Sequence, residues 1–382
     1  MSDSFDRILV IATRQIGDVL LTTPLIRAAK QCWPQARIDV LGLPNTLDLL
    51  RGNPDVAALI EAPHRAGPGA TLRFLRTLWR RYDLALVTQH SDRAHLYGFV
   101  AARVRVGLLP EHAGHAWWKR ALLRHEVTVA GDRGAVHTVS EKLALLDPWR
   151  GAGAPPVVDL VAPAAQPLPP DIEAALGPAP LVIHVPSMWR YKQWPLSHYR
   201  ALVQALLAQG RQIVLSGGPA AADRAMVAEV ATLAPPPQLI DASGRLSFAQ
   251  LTTLLQRAAL YIGPDTSVTH LAAACGTPLV ALFGPSNPLR WAPWPAGMEA
   301  AQPFVRRRPE QIVAHLTLLQ GEARCAPGVP CGRAGCEDHT GSRSDCLEQG
   351  LPVERVLTAV RARLAASDAA RAAPALEASR PA

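Results

Sequence analysis

Short runs of β-branched and apolar residues alternate with longer helical patterns along the first half of the chain. The run R-I-L-V-I-A-T at residues 7–13 is followed by a helical pattern at 23–33. Further strand-length apolar runs occur at 36–42, 82–88 and 104–108. Parallel strands need long, usually helical crossovers, so this rhythm predicts an α/β fold with a doubly wound parallel sheet.

The same alternation starts again after residues 148–180, a stretch rich in Pro, Ala and Gly that reads as a linker. Strands are predicted at 181–185, 212–216, 260–263 and 278–283, with helices at 198–209, 246–259 and 267–275. A chain of 382 residues is also long for one domain. We therefore predict two Rossmann-like domains, residues 1–165 and 166–364. The tail at 365–382 lacks a periodic apolar face and is predicted to be disordered.

Open α/β sheets bind ligands outside the carboxyl ends of their strands. Two such domains in tandem are expected to face each other across a cleft, so functional residues should directly follow the strands. Four polar clusters of the sequence do so, and they are considered below in turn.

The charge of the chain limits its partners. Lys and Arg number 39 and Asp and Glu 31, a difference of 39 − 31 = 8, and arginines cluster at 73–81 and 306–308. A basic surface suits nucleic acid, a phosphorylated glycolipid or an anionic membrane leaflet. Because basic stripes interleaved with aromatic residues are missing from the sequence, nucleic acid is the least favoured. No apolar run is long enough to span a bilayer and the start is acidic rather than basic, so a cytoplasmic protein is expected.

The first turn, R-Q-I-G-D-V-L-L-T-T-P at residues 14–24, lacks the G-x-G-x-x-G pattern of dinucleotide sites. Only Gly17 is present, and Asp18 follows it. One interpretation makes Asp18 an N-cap of the next helix. The other makes it a general base, since a carboxylate near helix N–H groups stays ionised and can accept a proton from a bound hydroxyl.

The second cluster, H-V-P-S-M-W-R-Y-K-Q-W-P at 184–195, places Ser187, Arg190 and Lys192 in one loop. A hydroxyl and two cations are what a bound diphosphate requires as its charge develops. The alternative is a solvated basic loop anchored by Trp189 and Trp194.

The third cluster lies in G-P-D-T-S-V-T-H, where Asp265, Thr266 and Ser267 precede a predicted helix. Helix N–H groups with flanking hydroxyls form an anion site, although the same residues often act only as a cap. His270 falls on the first turn and is either a ligand-facing or a packed histidine.

The fourth cluster is S-G-G-P at 216–219, with Asp223 one helical turn later. Gly217 would let a nucleotide approach the backbone and Asp223 could bind ribose hydroxyls, or the segment is a plain turn.

Four of the six cysteines crowd into residues 325–346 with the spacings C-x5-C, C-x4-C and C-x9-C. No C-x2-C pair is present, so the usual zinc signature is missing. A metal knuckle and reduced packing cysteines both remain open, and packing is the interpretation we favour, with no metal expected.

Taken together, R-Q-I-G-D-V-L-L-T-T-P, R-Y-K-Q-W-P and G-P-D-T-S-V-T-H-L-A-A-A-C-G-T-P resemble the family-9 glycosyltransferases, the ADP-heptose:lipopolysaccharide heptosyltransferases, and most of all the branch that adds the third heptose. The likeness extends over about residues 7–364. It implies a GT-B fold whose first domain takes the lipopolysaccharide inner-core acceptor and whose second takes ADP-heptose. It further implies inversion by a single displacement, without a metal or other cofactor.

The resemblance also implies roles for single residues. Asp18 would be the general base and Lys192 would balance the leaving ADP. The donor would be held by Ser187, Asp265, Thr266, Ser267 and His270, to which the residue patterns described above add Arg190, Gly217 and Asp223. The acceptor would be held by Gly17, Thr22, Thr23 and Arg93, and anionic acceptor or membrane groups by Arg73, Arg76, Arg80 and Arg81.

Three alternatives stay open. The chain could be a nucleotide-sugar epimerase of the same architecture, a transferase that uses another nucleotide sugar, or a catalytically silent binding protein. An epimerase would not need a base in the first turn, whereas the paired presence of Asp18 and Lys192 argues against a silent protein.

Overall fold

The structure is a computed structural model that describes residues 3–63, 66–111, 114, 117–129, 136–150, 159–298, 302–323, 325 and 328–377, the last eight of them as backbone. The chain divides into two compact units. Unit 1 comprises Met1–Ala164 and Gly297–Pro303, and unit 2 comprises Ala165–Ala296 and Phe304–Ala382.

Unit 1 is built on a six-stranded sheet in the order β3-β2-β1-β4-β5-β6. The strands are β1 Arg7–Ala12, β2 Arg37–Gly42, β3 Ala58–Glu61, β4 Tyr82–Val87, β5 Ala102–Pro110 and β6 His125–Val129. All neighbouring pairs are parallel. Residues 8–12 of β1 are buried throughout, as expected for a central strand with helices on both faces.

The helices of unit 1 follow its strands along the chain. They are α1 Ile16–Leu20, α2 Thr23–Cys32, α3 Pro68–Leu78, α4 Asp92–Ala101, α5 Trp117–Leu122, α6 Thr138–Leu143 and α7 Asp147–Arg150, with 3₁₀ turns at Leu47–Leu50 and Ala144–Leu146. The hydroxyl of Ser91 accepts from the backbone N–H of Ala94 and so caps α4, which fixes where this helix begins after β4.

Unit 2 repeats the plan with seven strands in the order β12-β13-β11-β10-β7-β8-β9. The strands are β7 Leu181–His184, β8 Ile213–Ser216, β9 Leu239–Asp241, β10 Leu260–Pro264, β11 Leu279–Phe283, β12 Glu310–Val313 and β13 Leu316–Gln320. Only the edge strand β12 pairs in the antiparallel sense among these described strands.

The helices of unit 2 cover the faces of this sheet or follow its strands. They are α8 Pro170–Ala175, α9 Leu196–Leu207, α10 Ala221–Ala231, α11 Phe248–Arg257, α12 Ser267–Ala274, α13 Pro288–Trp291, α14 Asp345–Glu348 and α15 Val353–Glu377, with a 3₁₀ turn at Arg190–Lys192. A capping box between Ser247 and Gln250 starts α11.

Each sheet has one point at which the strand order reverses. It lies between β1 and β4 in unit 1 and between β7 and β10 in unit 2. The crevice at the carboxyl end of such a switch point is the usual ligand site of doubly wound sheets. The predicted α/β class with two doubly wound domains is confirmed, and the residues after β1, β4, β7 and β10 become the candidate site residues.

Three details differ from the sequence prediction. Residues 297–303 belong to unit 1, and the N–H of Gly297 donates to Asp159 at 2.7 Å, so the predicted second domain is not continuous. The predicted linker contains α7 and α8, and Trp149 packs edge-on against Phe5 and Trp33 in unit 1. Its residues 151–158 lie outside the described residues.

The predicted disordered tail also differs, because α15 continues to Glu377. Its sequence is rich in alanine, which has the highest helix propensity and needs no apolar face to favour the helical backbone. Residues 378–382 lie outside the described residues. Across the described part of the chain, no helix combines the length and the apolar character needed to cross a bilayer.

Candidate active site

An ion pair lies at the switch point of unit 2. The Nζ atom of Lys192, after β7, is 2.6 Å from Oδ2 of Asp265, which directly follows β10. The Asp265 side chain is 6% exposed and that of Lys192 is 21% exposed. The sequence predicted a functional role for both residues, and the structure brings them into direct contact.

The environment of Asp265 keeps it ionised. Burial by itself raises the pKa of this carboxyl, but the Lys192 ammonium and His270 oppose that effect, and the net pKa lies below its ordinary value. The pair therefore holds a compact, partly exposed cation at the carboxyl edge of the sheet. Such a cation can neutralise charge that develops on a leaving phosphate.

The turn that carries Lys192 is held in place by a buried tryptophan and by hydrogen bonds to the backbone. Trp194 is 1% exposed, and its Nε1 donates to the Leu351 carbonyl at 2.8 Å. Ser187 is buried, and its carbonyl accepts from Nε2 of Gln193. Arg190 is exposed on the same turn. The predicted packing role of Trp194 fits this geometry, and a cation beside a buried hydroxyl is compatible with the predicted diphosphate contacts.

The helix α12 begins directly after Asp265. Thr266 takes the N-cap position, but its side chain makes no capping hydrogen bond. The side chain of Asp265 is directed to Lys192 instead, so the cap interpretation of the D-T-S segment does not hold. Ser267 starts the helix, and His270 is 5% exposed on its first turn.

The turn after β8 has a packing explanation. A Cβ at Gly217 would lie 2.8 Å from Cγ2 of Val227, so close packing against α10 already requires glycine there. Burial raises the pKa of Asp223, and the backbone N–H of Gly218 opposes this shift by hydrogen bonding. The plain-turn interpretation thus accounts for both residues, and their donor role stays a prediction.

In unit 1, Asp18 lies on the short helix α1 that follows β1. The N-cap of this helix is Gln15, and Asp18 occupies the first turn. The N-cap interpretation of Asp18 is therefore wrong. Its Oδ2 is 3.6 Å from Nε of the exposed Arg14, and the side chain is 15% exposed. The Asp18 carboxylate is partly exposed, lies just after the end of the central strand β1 and does not cap the helix. It can therefore accept a proton.

Thr22 and Thr23 are fully buried, which contradicts their predicted contact with the acceptor. The hydroxyl of Thr22 donates to the Asp18 carbonyl at 2.7 Å and that of Thr23 to the Leu20 carbonyl at 2.8 Å. The Thr23 hydroxyl also accepts from the N–H of Val161. Both threonines fix the backbone of the turn that carries Asp18, whereas Gly17 is part of the turn itself.

Lys142 is a component of this turn that the sequence reading missed. Its ammonium donates to the Asp18 carbonyl at 2.6 Å and to Oγ1 of Thr22 at 2.9 Å, and its side chain is buried. The signal was present in the sequence: Lys142 lies at helical spacing from Val139 and Leu146, on the apolar face of the segment. A lysine on such a face indicates a buried partner.

Lys142 should impose a distinctive pH dependence on stability. Burial, with Arg14, lowers its pKa to about 8, although Asp18 and Glu141 act in the opposite direction. The unfolded chain has a pKa of about 10.4 and binds this proton more tightly, so stability should rise as pH rises through the window from about 8 to about 10.4.

Urea unfolding of the wild type and of Lys142→Met at about pH 7.5 and pH 9.5 tests this. We expect the wild type to gain about 2 kcal/mol more than the variant between these two conditions. Equal changes for both proteins would show that Lys142 is not a buried cation at neutral pH.

The other strand of the unit 1 switch point ends beside Thr13. The Thr88 hydroxyl donates to the Ile11 carbonyl at 2.8 Å, and Nε2 of Gln89 donates to the Thr13 hydroxyl. Arg93 is exposed on the first turn of α4, immediately after this strand end. Its position is compatible with the predicted contact to an anionic acceptor.

The fold and the site together define a class of enzyme. Two doubly wound domains, each with charged side chains at its own switch point, are the architecture of the GT-B glycosyltransferases. Residues 71–306 match the profile of glycosyltransferase family 9 (heptosyltransferase). The chain therefore belongs to glycosyltransferase family 9, as its sequence motifs predicted.

Individual relatives agree with this assignment. The chain is 30% identical over 300 residues to lipopolysaccharide heptosyltransferase 3 of Escherichia coli, a match that covers 74% of this chain and 84% of that protein. The fold matches E. coli ADP-heptose lps heptosyltransferase II with a TM-score of 0.67 at 23% identity, over 95% of this chain and 99% of the other. It also matches E. coli heptosyltransferase WaaC with ADP, with a TM-score of 0.69 at 18% identity, over 94% and 99%.

Proposed function

We propose that this enzyme transfers heptose from ADP-heptose to a sugar hydroxyl of the lipopolysaccharide inner core, with inversion at the anomeric carbon. The observation that carries the proposal is the Lys192–Asp265 ion pair at the switch point of unit 2, beside the start of α12. The names of the relatives supply the substrate class, and 30% identity to heptosyltransferase 3 favours the third-heptose branch.

The donor is assigned to unit 2. Helix N–H groups at the start of α12, together with Ser187, Ser267 and the Lys192 ammonium, offer donors and positive charge to a diphosphate. Lys192 balances the charge that grows on ADP as the bond from its β-phosphate to the anomeric carbon breaks. Asp265 acts through Lys192, which it holds in place.

The acceptor chemistry is assigned to unit 1. Asp18 accepts the proton of the acceptor hydroxyl as the oxygen attacks the anomeric carbon from the face opposite ADP, so one displacement inverts the configuration. Lys142 and Thr22 hold the Asp18 backbone and thereby restrict the carboxylate to a narrow range of positions. The chemical step needs no metal ion in this proposal, because Lys192 supplies the positive charge.

A single assay tests the proposal against its enzyme alternatives. The purified protein is incubated with ADP-heptose and lipopolysaccharide truncated before the third heptose, and the anomeric configuration of the product is read by NMR. We expect an inverted heptosyl product, formed at an unchanged rate after brief EDTA treatment. Release of a free epimer without an acceptor product would instead establish an epimerase, and transfer only from other nucleotide sugars would refute the donor assignment.

We further propose that the enzyme works in the cytoplasm and docks on the anionic inner leaflet through α3 and the turn after it. Trp79 is 62% and Leu72 50% exposed there. Four arginines, Arg73, Arg76, Arg80 and Arg81, are exposed on the same segment. Apolar side chains flanked by arginines favour a membrane surface, to which each basic residue adds about 1 kcal/mol, and no role for nucleic acid is proposed.

Charge reversal tests the membrane proposal. The double variant Arg73→Glu/Arg76→Glu should bind vesicles that contain phosphatidylglycerol at least about tenfold more weakly than the wild type in a cosedimentation assay. The matched control Arg224→Glu/Arg361→Glu reverses two exposed arginines of unit 2 and should bind as the wild type does. Equal binding by all three proteins would refute docking through α3.

A further inference from the structure

Four cysteines of unit 2 line one cavity. Residues 321–350 follow β13, and the cavity of about 640 Å³ within this segment is bordered by Cys325, Cys331, Cys336 and Cys346. None of the four is in a disulfide. The remaining cysteines, Cys32 on α2 and Cys275 at the end of α12, do not border the cavity. The fold therefore brings four cysteine side chains to one cavity, although their spacing in the sequence is irregular.

The shared cavity has an electrostatic consequence for the four thiols. Thiolates that border one cavity repel one another unless a cation neutralises them. A soft metal ion removes this repulsion because it binds thiolates directly.

Backbone groups around the cavity suit thiolates. The N–H of Asp345 donates to Sγ of Cys336 at 3.4 Å, the kind of hydrogen bond that stabilises a negatively charged sulfur. Gly332 and Gly335 adopt positive φ beside Cys331 and Cys336, so the chain turns tightly at both cysteines. Arg333 also borders the cavity, as do the carboxylates Glu322 and Asp345, so the backbone groups rather than the side-chain charges favour thiolates.

We propose that the four cysteines of residues 325–346 bind one zinc or iron ion as a tetrathiolate site. Sulfur-only tetrahedral coordination is typical of these two metals. Four Cys Sγ–H groups release four protons to solvent as four metal–sulfur bonds form. Within the described residues no three possible ligands already converge on one metal-sized position, so the ion must draw the thiols inward. Residues 325 and 336 are exposed, which leaves them room to move.

Four protein ligands fill the coordination sphere, which makes the site structural rather than catalytic. The segment it would lock supports the Lys192 turn. The Thr340 carbonyl accepts from the backbone N–H of Arg190 at 3.1 Å, and the Ser344 hydroxyl donates to the Tyr191 carbonyl at 2.8 Å. A bound ion would therefore hold these contacts in place. The metal site itself does not depend on the proposed transfer reaction.

Metal content of the full-length protein tests the proposal without any activity assay. Protein purified anaerobically with reductant from cells supplied with zinc and iron should contain about one of these ions per chain by elemental analysis, since tetrathiolate sites are tight. The ion should survive gel filtration in EDTA and be released by a mercurial that titrates the thiols. Substitution with Co²⁺ should give the intense sulfur-to-cobalt charge-transfer absorption of a four-thiolate site. Protein that is metal-free as isolated and stays so after reconstitution with either ion would overturn the proposal.

Single substitutions assign the ligands. Cys336→Ser and Cys325→Ser change exposed side chains and should abolish stoichiometric metal while the secondary structure is kept, whereas the control Cys32→Ser should retain the ion. Full metal content in either cavity variant would exclude that residue as a ligand and overturn the four-thiolate site. Two disulfides among these cysteines in anaerobically prepared, alkylated protein would do the same. The wild-type measurements stand even if a variant fails to fold.

Discussion

Asp18→Asn is expected to reduce the rate of heptose transfer by about 10² to 10⁴-fold, the usual contribution of a general base. The amide keeps the shape of the side chain but cannot take the acceptor proton. The fold should survive, because the hydrogen bonds of Thr22 and Lys142 go to the Asp18 carbonyl oxygen rather than to its carboxylate. The ion pair with Arg14 involves a half-exposed partner and contributes little to stability.

Asp48→Asn is the matched control for this substitution. Asp48 also lies in the first turn of a short helix of unit 1 and pairs with a neighbouring arginine, Arg51, at 2.6 Å. Its loss should leave transfer unchanged. Rates are measured with saturating ADP-heptose for the wild type and both variants. A variant at Asp18 with the wild-type rate and an unaltered melting temperature would refute the proposed mechanism.

Lys192→Met is expected to lower the rate by about 10² to 10³-fold, because the charge that develops on ADP then lacks its preorganised cation. It should also destabilise unit 2 by about 3 to 5 kcal/mol, since a buried carboxylate loses its partner. The second effect follows from the 6% exposure of Asp265 and the 2.6 Å ion pair. The two effects are measured separately, by transfer kinetics and by urea unfolding.

The double variant Lys192→Met/Asp265→Asn separates these effects. Removal of the buried charge as well should restore most of the stability, whereas activity should stay low because the cation is still missing. Recovery of both properties together would mean that Lys192 serves only the fold. A stable Lys192→Met single variant would contradict the ion pair as the reason for the burial of Asp265.

The sequence predicted the fold well because its central strands are nearly continuous apolar runs. Five residues of β1 and all of β7 are buried, so periodicity and composition alone identify them. The strands β3, β6, β9 and β12 were missed, since short or half-exposed strands carry little pattern. The strand β13 was missed as well, although all five of its residues are buried. Helix α8 was hidden in a proline-rich stretch, where proline occupies the first turn.

Sequence position predicted which side chains lie near a strand end, but not how deeply each side chain is buried; the roles of these residues stay predictions. Lys192 and Asp265 were predicted from their position, and the structure joins them. Thr22 and Thr23 lie one turn beyond Asp18, and no local pattern tells whether a hydroxyl there faces inward. Lys142 reaches Asp18 from a helix far along the chain, which only the tertiary structure reveals.

The positions of the cysteines in the fold also do not follow from their spacing in the sequence. Their spacings match no familiar zinc signature, and the sequence therefore favoured packing. The loops of residues 321–350 nevertheless fold so that all four border one cavity. The familiar zinc signatures describe cysteines on short, tight turns. In this chain, longer loops that contain glycine bring the four cysteines to one cavity.

The repeated strand order has an evolutionary consequence. Each unit carries its own switch point, and the buried core of unit 1 and that of unit 2 are built from separate sets of residues. The core of one unit can therefore accept a substitution without a compensating change in the core of the other. With the acceptor assigned to unit 1 and the donor to unit 2, as we propose, such a chain could change its acceptor while it keeps its sugar donor. Chimaeras that exchange whole units between relatives would then recombine the two specificities.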